Sequence, residues 1–84
     1  MNAVYQHLVT TLTDKFEAPE ERVRPAATLG DLDLDSLAVV ELFVTLQEHW
    51  DIPLDDSDAD ATLTVDEVAS AVNDLIHQRD IGAA

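Results

Sequence analysis

The segment DSLAVVELFVTLQEHW, residues 35–50, decides the fold of this 84-residue chain. Its large apolar residues recur with a period near 3.6, which is the pattern of a helix that buries one face. Asp35 is a preferred N-cap type, and Pro53 cannot continue a helix. The segment therefore predicts an amphipathic helix over residues 36–50, with a buried stripe of Val39, Leu42, Phe43, Leu46 and Trp50.

Two further segments share this helical period. Residues 2–16 place Tyr5, Leu8, Val9, Leu12 and Phe16 on one face, and Ala18-Pro19 ends the pattern. Thr64 and Glu67 match a capping box, which predicts the start of a last helix over about residues 65–79. The buried face of that helix would comprise Val65, Val68, Ala69, Val72 and Ile76.

The segments between these helices predict a long loop and one short helix. Residues 17–35 follow neither the helical nor the strand period, and we expect Val23, Leu29 and Leu32 to pin this loop to the core. Residues 56–61 suit a single short helical turn. The sequence predicts an all-α fold, a small four-helix bundle with three main helices, one short helix and a long first loop, forming a single domain over residues 1–84.

The charge of the chain restricts its partners. Four basic residues against 18 acidic ones give a net charge of −14, and there is no cysteine. Nucleic acids and anionic membranes would be repelled, whereas a basic protein partner would be attracted. The acidity is equally well explained by solubility alone. Because no targeting segment and no long apolar run is visible, we expect a soluble cytoplasmic protein. We also expect it to be a monomer.

The predicted helix 36–50 has a second face that is not purely polar. Leu37, Glu41, Val44 and Glu48 fall opposite the buried stripe, and Val40 lies between the two faces. Isolated surface apolar residues are common, so this face has an ordinary explanation as solvated surface. The alternative is a docking face, with apolar anchors and with charges that suit basic partners.

Ser36 lies where the long loop meets this helix. The first backbone N–H groups of a helix lack partners within the helix, and the helix dipole is positive there. A phosphate attached at this position would be stabilised. By position alone, a simple helix cap formed by Asp35 or Ser36 is the favoured explanation.

The residues around Ser36 carry a family resemblance. Leu32-Asp33-Leu34-Asp35-Ser36-Leu37 resembles the phosphopantetheine attachment motif of acyl carrier proteins, whose core is Asp-Ser-Leu. The resemblance continues through Val40-Glu41-Leu42, Leu46 and Trp50, and resumes at Thr64-Val65. It extends over roughly residues 4–77 of the chain.

The resemblance implies a function and a set of site residues. Ser36 would accept 4′-phosphopantetheine from coenzyme A through a phosphopantetheinyl transferase, and its thiol would carry acyl groups as thioesters. Asp35 would help to position the complex of the modifying enzyme, and Leu37 would complete the attachment motif. Partner enzymes, such as acyltransferases and ketosynthases with basic docking patches, would contact Leu37, Val40, Glu41, Val44 and Glu48. The acyl chain would lie between helices near Val39, Val40 and Leu46.

Departures from the family pattern leave the pathway open. The family usually has Gly at the position of Asp33, and Ala38 and Val39 make the first helical turn less acidic than in fatty-acid carriers. Fatty-acid and polyketide synthesis both remain, with a slight preference for polyketide or another specialised pathway. A peptidyl or aryl carrier of nonribosomal synthesis is the alternative, although Asp35 before the serine favours an acyl carrier.

Two other functions are weaker alternatives. Asp56, Asp58, Asp60 and Glu67 have EF-hand spacing, but Ala61 stands where the loop requires glycine. A similar start at Asp31, Asp33 and Asp35 lacks both the glycine and the final Glu. The three histidines, His7, His49 and His77, lie in three predicted helices without a paired nucleophile, so the chain is predicted to be a carrier and not an enzyme.

Overall fold

The computed structural model describes residues 3–55 and 59–82, with side chains described as far as Gln78. Within these residues the secondary structure is helical, and no strand is present apart from one isolated bridge. The α-helices are α1 (Ala3–Asp14), α2 (Ser36–Trp50) and α3 (Val65–Gly82). The first loop contains two 3₁₀ turns, η1 (Glu20–Arg22) and η2 (Gly30–Leu32). This architecture confirms the all-α prediction.

The predicted apolar stripes meet in one core. Leu8 and Leu12 of α1, Val39 and Leu46 of α2, and Val72 of α3 are all fully buried. Burial of such faces against one another supplies most of the stability of short helices. The loop residues Val23, Leu29 and Leu32 are buried as predicted. Five further apolar residues that the period did not identify are also buried: Val4, Ala18, Leu34, Ile52 and Leu54. No helix among the described residues is both long and apolar enough to cross a membrane.

The boundaries of α2 are those expected from sequence. Asp35 takes an extended conformation (φ −83°, ψ 178°), and its side chain accepts a hydrogen bond from the Ala38 N–H. At the other end Asp51 is left-handed, with φ 53°, and its N–H donates to the Gln47 carbonyl. The helix therefore begins and ends at residues whose backbones leave the helical region.

The end of α1 was predicted two residues too late. The helix ends at Asp14, and Glu17 takes a left-handed conformation with φ 58°. The Ala18 N–H then donates to the Leu12 carbonyl at 2.9 Å, which turns the chain back onto the helix. Phe16 still packs against the core from this turn. Conversely, α3 continues to Gly82, three residues beyond the prediction.

The predicted short helix over residues 56–61 lies partly outside the described residues. Residues 56–58 are not among those described, and Ala59 and Asp60 have no regular secondary structure. The chain forms a turn at Ala61 and Thr62. The part of this prediction that falls on described residues is therefore wrong. Local hydrogen bonding explains the turn, because the Asp60 carboxylate accepts from the Thr62 N–H.

Backbone hydrogen bonds attach the first loop to the start of α3. The Leu29 N–H donates to the Leu63 carbonyl, and the Val65 N–H donates to the Ala27 carbonyl, each at 2.9 Å. Between these two bonds, Thr28 and Thr64 form the isolated antiparallel bridge. The loop that leads to Ser36 is therefore held by a distant part of the chain.

Candidate functional site

Ser36 is the first residue of α2 and its side chain is exposed to solvent. The preceding Leu34 is buried, and the following Leu37 is 67% exposed. The chain thus passes from the core to the surface within three residues. The Ser36 hydroxyl therefore lies at the protein surface, at the N-terminus of α2, two residues after a side chain that is buried in the core.

The Asp35 carboxylate caps α2 and makes no hydrogen bond to Ser36. Its Oδ1 accepts from the Ala38 N–H at 2.8 Å, and its carbonyl accepts from the Val39 N–H at 3.0 Å. Capping uses one of the N–H groups that α2 leaves unpaired in its first turn. The positive end of the helix remains next to Ser36, which suits a phosphate on that oxygen.

The turn η2 begins with a reciprocal side-chain exchange that sequence analysis missed. The Asp31 N–H donates to Thr28 Oγ1 at 3.1 Å, and the Thr28 N–H donates to Asp31 Oδ2 at 3.2 Å. This exchange has the hydrogen-bond pattern of a capping box, but Thr28 lies one residue before the N-cap of η2, Leu29, which makes no side-chain cap bond. The Thr-x-x-Asp spacing was the signal that could have identified the exchange. The residues after Thr28 show no helical period of apolar side chains, so the sequence did not predict a helical turn there.

A left-handed residue ends η2. Asp33 has φ 64° and ψ 23°, and its N–H donates to the Gly30 carbonyl. Acyl carrier proteins usually have Gly at this position, as noted from sequence, and Asp is one of the few other residues that tolerate this conformation. Asp33 therefore takes a left-handed turn conformation that a glycine would adopt freely.

The three carboxylates of the Asp31-x-Asp33-x-Asp35 pattern each interact with a different partner. Asp31 bonds to Thr28, Asp33 lies 3.8 Å from an Arg22 guanidinium nitrogen, and Asp35 caps α2. Their spacing in sequence resembled the start of a calcium loop, but their side chains have three different local partners. Among the described residues, no group of three or more His, Cys, Asp or Glu is arranged to hold a metal.

The second calcium-loop pattern falls only partly within the described residues. Asp56 and Asp58 lie outside them. Asp60 accepts from the Thr62 N–H, and this bond lowers the pKa of the Asp60 carboxyl. Glu67 accepts from the Thr64 N–H at 2.9 Å, completing the predicted capping box. Glu67, the residue in the position of the bidentate ligand, is therefore engaged in starting α3.

The outer face of α2, which the sequence places opposite the buried stripe, is exposed. Leu37 and Val44 are 67% and 40% exposed, whereas Val40 is half-buried. A groove of about 460 Å³ runs along this face beside the end of α1. Lys15, the residue that follows α1, reaches α2 there and donates to Thr45 Oγ1 at 2.9 Å. The groove is lined by Lys15, Val40, Glu41, Val44, Thr45 and Glu48.

The residues expected to surround an acyl chain do not share one cavity. Val39 and Leu46 are fully buried in the packed core. Val40 is half-buried and lines the groove on the outer side of α2. An acyl chain between the helices would therefore have to displace core side chains.

Two of the three histidines meet although their helices are far apart in sequence. The His7 and His49 rings stack with centroids 3.7 Å apart and planes 14° apart. The Trp50 ring meets both edge-on, at 5.4 Å and 4.9 Å. Burial, and then the neighbouring His49, lower the pKa of His7. Nothing in the sequence period predicted this cluster, which depends on how α1 and α2 pack.

Comparison with known proteins agrees with the geometry of this site. The family model described as phosphopantetheine attachment site matches residues 6–72, which is most of the chain. This match defines the chain as a phosphopantetheine-bearing carrier domain.

Three of the similar proteins are acyl carrier proteins. The chain is 28% identical to that of Campylobacter lari over 74 residues, spanning 87% of this chain and 96% of the relative. It is 30% identical to that of Bdellovibrio bacteriovorus over 69 residues, spanning 81% and 88%. The protein of Desulforapulum autotrophicum is 42% identical over 48 residues, which cover 57% of this chain and 62% of that relative. No solved structure matches the chain.

The chain therefore belongs to the acyl carrier protein family. Members of this family hold 4′-phosphopantetheine through a covalent bond and act as non-catalytic carriers. Family membership also implies interaction with synthase enzymes in general.

Proposed function

We propose that Ser36 is the attachment point of 4′-phosphopantetheine and that the protein presents acyl thioesters to the enzymes of a synthase. The observation that supports this most strongly is the exposed hydroxyl at the first position of α2, within the Asp-Ser-Leu motif. Ser36 has no hydrogen-bonded base among the described residues, and a carrier needs none. The modifying enzyme supplies the catalytic groups.

The modification is a phosphoryl transfer in which Ser36 is the acceptor. A bond forms between Ser36 Oγ and the phosphorus that bears the pantetheine group. The bond from that phosphorus to the adenosine-bearing phosphate of coenzyme A breaks, and the hydroxyl proton passes to a base of the transferase. The product phosphodiester carries one negative charge at the positive end of α2, where it is stabilised.

The attachment site is tested by intact-mass measurement. Incubation with coenzyme A and a phosphopantetheinyl transferase should add the mass of one phosphopantetheine. Ser36→Ala should remove this shift while leaving the helical circular dichroism unchanged. Ser70→Ala is the matched control, because Ser70 is an exposed serine of α3 that should not affect modification. A full mass shift in Ser36→Ala would reject the assignment.

We further propose that the outer face of α2 docks the partner enzymes. Leu37 and Val44 supply exposed apolar contacts, and Glu41 and Glu48 supply negative charge beside them. Such a surface suits a basic patch that surrounds an apolar pocket on the partner. The groove that contains Val40 and Val44 gives the partner side chains a place to insert.

The docking face is tested by charge reversal. Glu41→Lys should raise KM for the carrier in loading reactions, because it places a cation against a basic partner. Asp74→Lys makes the same change in charge at an exposed position of α3 and should have little effect. Equal effects of the two variants would show that net charge matters and that the outer face of α2 does not.

We infer that the cargo belongs to fatty-acid or polyketide synthesis. The first turn of α2, Ser36 to Val39, contains no acidic residue, which leans towards polyketide or another specialised synthesis. The mass of the protein isolated from its native cell would show the arm and the acyl group together. An aminoacyl or aryl group on that arm would instead support a carrier of nonribosomal synthesis.

A further inference from the structure

The direction of the chain before Ser36 depends on one left-handed residue. Asp33 ends η2 with φ 64°, and two residues later Asp35 is extended with ψ 178°. Between them Leu34 is buried, and its N–H donates to the Leu29 carbonyl at 3.2 Å. A change of φ at Asp33 would therefore move the helix cap or withdraw Leu34 from the core.

The conformation of Asp33 is one that side chains oppose. Left-handed φ values bring Cβ close to the following carbonyl oxygen, and only glycine is free of this cost. Asp tolerates the region better than most residues but still needs support from its surroundings. The Asp33 N–H gives part of that support by donating to the Gly30 carbonyl at 3.0 Å.

Arg22 provides a second support from the other 3₁₀ turn. One guanidinium nitrogen donates to the Asp31 carbonyl, and another lies 3.8 Å from Asp33 Oδ2. Arg22 thus contacts η2 at two points, one on the backbone and one on the side chain of the left-handed residue. The neighbouring Arg24 makes no such contact, since its guanidinium donates to the Glu21 carbonyl at 3.4 Å.

We propose that Arg22 is a positioning residue for Ser36, acting by holding Asp33 in its left-handed conformation. The proposal rests on Ser36 being the site of phosphopantetheine attachment. Arg22 and Asp33 together maintain the left-handed backbone conformation that a glycine would adopt without support. Because the Arg22 and Asp33 side chains are 51% and 85% exposed, their pairing is weak, and the expected effect is modest.

Kinetics of modification by a phosphopantetheinyl transferase test this role. Arg22→Gln should lower kcat/KM for the carrier by about two- to fivefold, the range that an exposed pair supports. Arg24→Gln removes the same charge from the same loop and should leave kcat/KM unchanged. Equal values for the two variants would overturn the proposal.

Substitutions of Asp33 separate its conformation from its charge. Asp33→Gly removes the carboxylate but adopts positive φ freely, so modification should proceed at the wild-type rate. Asp33→Ala removes the carboxylate and keeps the steric cost, so it should be impaired like Arg22→Gln. If Asp33→Gly were impaired as much as Asp33→Ala, the carboxylate itself would be what the transferase requires.

A double variant and a backbone measurement complete the test. Arg22→Gln combined with Asp33→Gly should recover the wild-type rate, because glycine no longer needs the arginine. If the double variant stayed as slow as Arg22→Gln, Arg22 would be acting by contact with the transferase, and the proposal would be wrong. The three-bond HN–Hα coupling of residue 33, measured by NMR, should change in Arg22→Gln and stay unchanged in Arg24→Gln.

These results are distinguishable from failure of the proposed function. If the wild-type chain gained no phosphopantetheine, the attachment site itself would be rejected. If the wild type were modified but Arg22→Gln matched Arg24→Gln in rate and in coupling, only the positioning role would be rejected.

Discussion

Thr28 and Thr64 face each other across an antiparallel bridge, and each makes a reciprocal pair of hydrogen bonds with the residue three positions later. Thr28 exchanges with Asp31, and Thr64 exchanges with Glu67. Thr28, in the loop before Ser36, is therefore held against Thr64, which precedes the first turn of α3. A disturbance at the start of α3 should reach the loop that presents the serine.

Loss of the cap at Thr64 should destabilise the whole domain. Thr64→Ala removes the acceptor of the Glu67 N–H, and such N-cap losses typically cost about 1 kcal/mol. Urea unfolding followed by far-ultraviolet circular dichroism measures the change. Ser70→Ala is the control, because Ser70 is an exposed hydroxyl residue in the interior of α3 that does not cap the helix. Similar losses in both variants would contradict a specific role for the cap.

Two leucines of α2 should differ sharply in their effect on stability. Leu46 is fully buried, so Leu46→Ala should cost about 2–5 kcal/mol through lost burial and the cavity left behind. Leu37 is 67% exposed, so Leu37→Ala should stay within about 0.5 kcal/mol. Leu37→Ala should nevertheless weaken partner docking. Comparable denaturation midpoints for the two variants would mean that the two faces of α2 have been misassigned.

The sequence predicted the features that depend on residues close to one another in the chain. The ends of α2 follow from Asp35 and from the apolar period, and both act within a few residues. The position of Ser36 at the start of that helix follows in turn. The capping box at Thr64 was visible because a periodic helix follows it.

What the sequence did not reveal depends on contacts between distant segments. His7 and His49 lie on different helices, and only the packing of α1 against α2 brings their rings together. The pairing of Arg22 with Asp33 requires that η1 and η2 fold side by side. Hydrophobic periodicity carries no information on either contact, because it reports which face of an element is buried and not what lies against it.

Salt should affect the stability and the reactivity of this protein in opposite directions. With a net charge of −14, the folded chain repels itself, and screening should raise its melting temperature. At about 0.1 M salt the screening length is about 10 Å, so attraction of a basic partner over longer distances should fall. Loading by partner enzymes should therefore slow as the same salt is added.

A comparison of two salts shows whether screening accounts for the stabilisation. Sodium chloride and magnesium chloride at equal ionic strength should raise the melting temperature similarly if only screening acts. A larger effect of magnesium would indicate divalent binding to the acidic residues. A melting temperature that fell with sodium chloride would contradict the argument from self-repulsion.

Acid should remove a stabilising contribution of His7. Burial, and then the stacked His49, lower the pKa of His7 from its ordinary value of 6.5. The unfolded chain therefore takes up a proton at this residue more readily than the folded one. The contribution of neutral His7 is fully present above pH 6.5 and is lost as the pH falls towards the lower value of the folded state.

Variants at the histidines isolate this contribution from that of the carboxylates. The carboxylates titrate in every variant, so the informative quantity is the free energy of unfolding of wild type minus that of His7→Gln, from urea titrations. This difference should be steady above the unfolded pKa of a histidine, about 6.5, and should decrease as the pH falls below it. His49→Gln should raise the pKa of His7 in an NMR titration without restoring it fully, since burial, the larger cause, remains. Parallel pH curves for wild type and His7→Gln would show that the stacked pair carries no linkage between protonation and folding.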